Sequence, residues 1–181
     1  MPVTGLMANY WISQNGTAYR GVIELRDADR YDFFETGVLG ERIPVNPENV
    51  KLSGSCSPCT FNWSGTSTIL FPNGNYTLSY NAPIRENHFT AQFEEPYQVW
   101  IELQQGIDIR NPLLGAMNPG AEVREGVNDS VIIRWNSTRQ VDIRYYDKAR
   151  EDLLYLFANF WIVIAVVMLL PFLLTRRRKI K

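Results

Sequence analysis

The feature that most limits what this chain can become lies near its C-terminus. From Leu153 to Leu174 it reads LLYLFANFWIVIAVVMLLPFLL, without a charge and with Asn159 as its one strongly polar side chain. As a helix these residues span roughly 33 Å, enough to cross a hydrocarbon core of ~30 Å. A core helix of a soluble domain keeps a polar face. This run has none, and five cations follow it at once: Arg176, Arg177, Arg178, Lys179 and Lys181. A transmembrane helix is expected. Tyr155, Phe160 and Trp161 lie toward its N-terminal side, where an aromatic belt belongs.

The flanks predict orientation. Asp147 to Asp152 (DKARED) holds two basic and three acidic groups, whereas the tail is wholly basic. The positive-inside rule puts the tail in the cytoplasm and the preceding domain outside, at the cell membrane. Carboxylates before the helix and cations after it also suit the helix dipole. Five N-x-[ST] sequons agree with an outside location: Asn15, Asn62, Asn75, Asn128 and Asn136, all before the apolar run. With 14 Asn and 19 Ser plus Thr in 181 residues, chance gives roughly 1.5 matches. These five are candidate glycosylation sites, although Asn, Ser and Thr also gather in turns. Met1 to Gly16 has no basic n-region and no apolar h-region, so it does not read as a signal peptide. Export then implies a signal upstream of Met1. The alternative, a tail anchor with a cytosolic domain, would carry five cations across the membrane.

Upstream of the helix the charge is acidic. All 19 acidic residues precede the apolar run, against 13 of the 18 basic ones, a net −6. With no basic stripe, nucleic-acid binding is not expected. Period-2 alternation dominates residues 17–146. Tyr76, Leu78 and Tyr80 form one apolar face; Phe89, Ala91 and Phe93 another; Val99, Ile101 and Leu103 a third, opposite Trp100, Glu102 and Gln104. Val131, Ile133 and Trp135 follow, then Val141, Ile143 and Tyr145. Further strands are expected at 18–25, 31–35, 50–53 and 67–71. Asn15-Gly16, Pro72-Asn73-Gly74-Asn75, Asn81-Ala82-Pro83, Asn118-Pro119-Gly120 and Gly126-Val127-Asn128 supply turn chemistry. Eight or nine short strands predict a mainly β fold: an antiparallel β-sandwich of the immunoglobulin-like kind, with a small barrel as the alternative. The expected organisation is an N-terminal extension at 1–16, an extracytoplasmic β-sandwich domain at 17–146, a juxtamembrane and transmembrane helix at 147–175, and a basic tail at 176–181. No Gly/Ser/Pro linker separates domain from helix, so the domain is expected close to the membrane.

The residues offer little catalytic chemistry. Cys56-Ser57-Pro58-Cys59 is the one cysteine pair. A redox CxxC sits at a helix N-terminus, which lowers a thiol pKa. Here TFNWSGTSTILF follows and reads as turn and strand, so a structural disulfide is expected. His88 is the single histidine and no GxSxG elbow accompanies it. Asp27, Asp29 and Asp32 lack the Gly and closing Glu of a calcium loop. Glu94 and Glu95 are neighbours, which in a strand point to opposite faces. No catalytic residue, cofactor or metal site is assigned.

Two features suit partners. Residues 109–120 (IRNPLLGAMNPG) are apolar yet broken by two Pro and two Gly. They form either a buried loop covering one end of the domain or a partner-binding loop presenting Leu113, Leu114 and Met117. Asn159 either bonds its own preceding carbonyls or supports lateral assembly, with Ala158 and Ala165 permitting close approach.

The run of motifs in 109–178, an NPLLG loop (Asn111 to Gly115), a last strand entering RYYD (Arg144 to Asp147) and an anchor ending TRRRK (Thr175 to Lys179), resembles uncharacterised archaeal surface proteins with an exported β-domain and a C-terminal anchor. That resemblance implies no activity. The PGF-type and LPxTG-type motifs of sorting signals do not precede the span. The expected function is a membrane-anchored extracytoplasmic binding or assembly module, non-enzymatic, with a protein partner or self-association. The rivals are an extracytoplasmic thiol–disulfide protein and a tail-anchored cytosolic adaptor.

Overall fold

The computed structural model describes residues 5–37, 39–54 and 56–177, with side chains to residue 170. The elements in chain order are β1 (Leu6–Ile12), β2 (Ala18–Asp32), β3 (Phe34–Thr36), β4 (Arg42–Pro44), β5 (Glu48–Gly54), β6 (Asn62–Trp63) and β7 (Thr68–Pro83). They continue with β8 (His88–Leu103), β9 (Ile107–Asp108), β10 (Ala116–Met117), β11 (Glu122–Glu125), β12 (Val131–Arg144), β13 (Tyr146–Asp147) and α1 (Lys148–Arg177). A short helical turn at Val127–Asp129 precedes β12. The chain divides into two compact units at Asp147/Lys148. The first is mainly β, and the second is α1, a helix long and apolar enough to cross a membrane.

The main sheet runs β10-β12-β8-β1-β2-β7-β5, with β11 also on β12 and β6 also on β7. Two small two-stranded sheets, β13-β9 and β3-β4, complete the unit. The sheet is mixed. All described pairs are antiparallel except β1–β8, where Leu6 to Ile12 run parallel to Tyr97 to Leu103. The parallel pair departs from the all-antiparallel expectation, and it is made by residues of the expected N-terminal extension. Residues 1–16 include β1, which lies between β8 and β2 with Ala8, Tyr10 and Ile12 buried.

The strands are also longer than expected. β2, β7, β8 and β12 each run 14–16 residues. Pro72 to Asn75, read as a turn, lies inside β7, where Gly74 pairs with Ala28. The chain bends there without reversing. Register shifts flank Ala28 in β2 and Thr138 in β12, and an extra residue at such a bulge bends a strand.

Aromatic contacts reveal the size of the bend. In register Tyr10 sits beside Ile101 of β8, yet its ring also lies 4.8 Å from that of Phe89 on the same strand. A straight strand would part residues 89 and 101 by roughly 40 Å. β8 therefore folds back over the inner face. Tyr31 does the same for the other long pair. It pairs with Ile69 of β7, while its ring sits 6.1 Å from that of Tyr80.

Inside the fold, Ile12, Ile23, Leu78, Ile101, Leu103, Ile133, Trp135 and Ile143 meet an aromatic group of Tyr10, Tyr19, Tyr80 and Phe89. The Tyr80 ring lies 5.8 Å from that of Tyr19 and 6.1 Å from that of Tyr31. Burial pushes the Tyr19 hydroxyl up to about 12 and the Tyr10 and Tyr80 hydroxyls well above their ordinary value. The space beside them is about 10 Å3, near the size of one water. At the far end of β12 the buried Tyr145 hydroxyl donates to the Gly16 carbonyl at 2.6 Å. Gly16 has φ +68°, and a Cβ there would press on the Tyr145 ring. Glycine is required at that turn on both counts.

Candidate binding surfaces

The loop after β9 is fastened at several points. Asp108 is only 3% exposed. Its Oδ1 accepts the backbone N–H groups of Ile109 (2.7 Å) and Arg110 (3.0 Å), and its Oδ2 accepts Arg110 Nη2 at 2.7 Å. Arg110 Nη1 donates to Glu125 on β11 at 2.7 Å. Burial alone would raise the Asp108 carboxyl. The Arg110 guanidinium and the two backbone donors outweigh it and hold the group below its ordinary value of 3.8.

Beyond Arg110 the chain makes a tight tip. The Asn111 N–H donates to the Tyr146 hydroxyl at 3.1 Å, its Oδ1 accepts from the Leu113 N–H at 3.0 Å, and its carbonyl accepts from Leu114 and Gly115. This fixed turn leaves Leu113 80% exposed. Leu114 and Met117 are half-buried, and Met117 packs on the core. The sequence had grouped Leu113, Leu114 and Met117; the structure singles out Leu113 as the projecting one.

The outward face of the sheet is a second surface, and sequence reasoning missed it. Its register sets Arg134, Trp100, Asn9 and Val22 in one row across four strands. Ile132, Glu102, Trp11 and Arg20 form the next. Met7 and Trp100 are 42% and 39% exposed, and Arg20 stacks 5.8 Å from the Trp11 ring. The face exists because alternation sends Ala8, Tyr10 and Ile12 inward and Met7, Asn9 and Trp11 outward. One signal was visible in the sequence: Trp100 stands on the polar side of the Val99, Ile101, Leu103 strand.

The remaining candidates fall elsewhere. Cys56 and Cys59 lie at disulfide distance, with Cα atoms 4.8 Å apart. They are half-buried in the loop between β5 and β6, and strand β6, not a helix, follows. His88 is half-buried, its Nε2 2.9 Å from Asp142 Oδ1. Asp32 is engaged by Arg30 (2.8 Å) and by the Thr68 hydroxyl (2.7 Å). Among the described residues no three His, Cys, Asp or Glu side chains gather as a metal site.

All five sequon asparagines are exposed. Asn15 and Asn75 are engaged in local bonds, Asn15 with Ser13 and Thr17 and Asn75 with Asp27. Asn136 sits at the β12 bulge. Asn159 is exposed on α1. Arg176 and Arg177 end that helix, while Arg178, Lys179 and Lys181 lie outside the described residues.

No curated protein matches the chain. A family model, described as a family of unknown function, matches residues 62–181, from β6 through the end of α1 and into the basic tail. The chain belongs to that family, DUF5803.

Proposed function

We propose that the protein is a membrane-anchored, extracytoplasmic binding or assembly module, non-enzymatic, that engages a protein partner through the outward face of its main sheet. The observation that carries this reading is the cluster of Trp11, Trp100, Met7, Val22 and Ile132 on a face rimmed by Arg20, Arg134, Glu24 and Glu102. Trp, Met and Arg are the residue types enriched where proteins meet, and tryptophan is prominent among the few side chains that dominate binding energy. A tryptophan on the wet side of a strand adds nothing to the core of its own domain.

The outside location is supported by the basic tail, the five exposed sequons and the cysteine pair. It accords with the resemblance to archaeal surface proteins. We read the domain as a β-sandwich of the immunoglobulin-like kind, made by folding one sheet over itself; the Tyr10–Phe89 and Tyr31–Tyr80 contacts support this. A thiol–disulfide role is less well supported, because a strand follows the CxxC and supplies no dipole to stabilise a thiolate.

The test is the double variant Trp11→Ala/Trp100→Ala in full-length protein purified in mild detergent. Proteins that co-purify with the wild type should be lost or reduced at least about tenfold, with the melting temperature little changed. Unaltered co-purification would remove the face from the proposal.

A further inference from the structure

β1 is the middle strand of the main sheet, with β8, β12 and β10 on one side and β2, β7 and β5 on the other. Its outward side chains are Met7, Asn9 and Trp11, none of them charged. In register with these three, β8 presents Gln98, Trp100 and Glu102. On the other side β2 presents Val22 beside Asn9 and Arg20 beside Trp11. Glu24 comes next along β2, and its Oε2 accepts the Met7 N–H at 3.0 Å. All nine residues are exposed or half-buried.

The two flanks match across β1. Glu102 and Arg20 stand on either side of Trp11, and Trp100 and Val22 on either side of Asn9. Gln98 and Glu24 do the same about Met7. A two-fold axis running along β1, in the plane of the face, therefore sets Glu102 against the partner's Arg20 and Arg20 against the partner's Glu102. Trp100 meets the partner's Val22, and Gln98 meets the partner's Glu24. Residues on the axis meet their own copies, where any charge would repel itself, and there the chain has Met, Asn and Trp. No like charges are set together among the nine. An isologous contact requires this pattern, because residue i touches j while j touches i. A different protein would place no such demand on the two flanks of β1.

Net charge argues the same way. The chain before the span carries a net −6, so two copies repel over most of their surface. On this face Arg20 and Arg134 balance Glu24 and Glu102, and two acidic copies can approach here without a local excess of charge. Sheets packed face to face lie ~10 Å apart with strands aligned to within about 30°. Such packing buries Trp11 and Trp100 at the centre of the contact, where tryptophan contributes most to binding.

We propose that the partner of the sheet face is a second copy of this chain, packed sheet to sheet about a two-fold axis along β1. The proposal rests on the reading of that face as a docking surface and names its occupant.

The experiment is a charge swap in full-length protein purified in mild detergent. Glu102→Arg and Arg20→Glu are made separately and together. Both side chains lie on the outward face, so the variants should fold, with melting temperatures close to that of the wild type. In a two-fold contact each single variant sets like charges together twice, whereas one chain of each kind restores both opposite pairs. With two distinguishable tags, Glu102→Arg should capture Arg20→Glu at least about tenfold better than either captures itself. The chain carrying both changes should capture itself as the wild type does. Because α1 is the same in every pairing, association through the helix would give equal capture throughout and would overturn the proposal. Wild type that captures no second copy would overturn it too. If Trp11→Ala/Trp100→Ala then still loses its co-purifying proteins, the face stands as a docking surface for a different protein. If that co-purification is unaltered, the docking reading falls as well.

Discussion

At the scale of single residues, Asp108 is the charge with most at stake. Its carboxylate is almost wholly buried, and its donors are Arg110 and two backbone N–H groups. Their combined pull exceeds the burial that opposes it, so the folded-state pKa lies below 3.8. A depressed acid stabilises the fold above its unfolded pKa and loses that contribution as pH falls through the folded one. The stabilisation is therefore complete at neutral pH and disappears below about pH 4. Asp108→Asn keeps the shape and removes the charge, at a cost of about 2–3 kcal/mol near neutral pH. The melting temperature should drop by roughly 6–10 °C. Asp32 is also held low, against the effect of its burial, by Arg30 and Thr68, so wild type and variant should both weaken in acid. The gap between their melting temperatures should shrink as pH falls from about 7 to about 3. A constant gap would mean that Asp108 acts by shape alone. Sequence reasoning did not single out this residue, because its burial and the reach of Glu125 and Tyr146 to its loop exist only in three dimensions.

Among the elements, the long bent strands explain which signals were legible. Four of the five apolar faces read from alternation are found buried: Tyr76, Leu78 and Tyr80 in β7, Val99, Ile101 and Leu103 in β8, Val131, Ile133 and Trp135 in β12, and Val141, Ile143 and Tyr145 at and just past its end; in the fifth, Phe89 and Ala91 are buried and Phe93 is half-buried. Breaks within strands were harder to judge. Pro72-Asn73-Gly74-Asn75 has the chemistry of a chain reversal, but β7 runs on through it, with Gly74 paired to Ala28 of β2 and the register shifted on either side. In α1, Asn159 lies seven residues into the apolar run, about 9 Å deep at 1.5 Å per residue. An amide at that depth gains about 0.6–2 kcal/mol from a partner on another helix. Asn159→Leu should leave the protein in the membrane fraction, since the span becomes more apolar. It should weaken self-association in mild detergent about threefold or more, as read by crosslinking yield. An unchanged yield would assign the amide to its own helix.

For the whole molecule the decisive quantity is charge asymmetry across the span. The domain side carries a net −6 and the tail five cations, so the tail is expected inside. A cysteine introduced as Lys181→Cys should react with a membrane-impermeant maleimide only after permeabilisation, while Thr66→Cys should react in intact cells. The reverse pattern would identify a tail-anchored cytosolic protein. The same orientation would place all five sequons on the labelled side, where glycosidase treatment should then shift the mobility of the mature protein.

The sequence by itself determined the apolar helix, its flanking charges and the dominance of strands. Each of these is local: a run of apolar residues, a cluster of cations, a period of two. What only the tertiary structure decided are the non-local facts. β1 is too short and too plain to announce itself, and its place beside β8 depends on residues about 90 positions away. The fold-over of β7 and β8 goes with register shifts at Ala28–Gly74 and Thr138–Tyr97, and a shift is defined only between a strand and its partner. For the same reason the tryptophan face was hidden. Trp11 and Trp100 become neighbours only when a parallel register sets Trp11 against Glu102 and Asn9 against Trp100, and no period within either segment encodes that pairing.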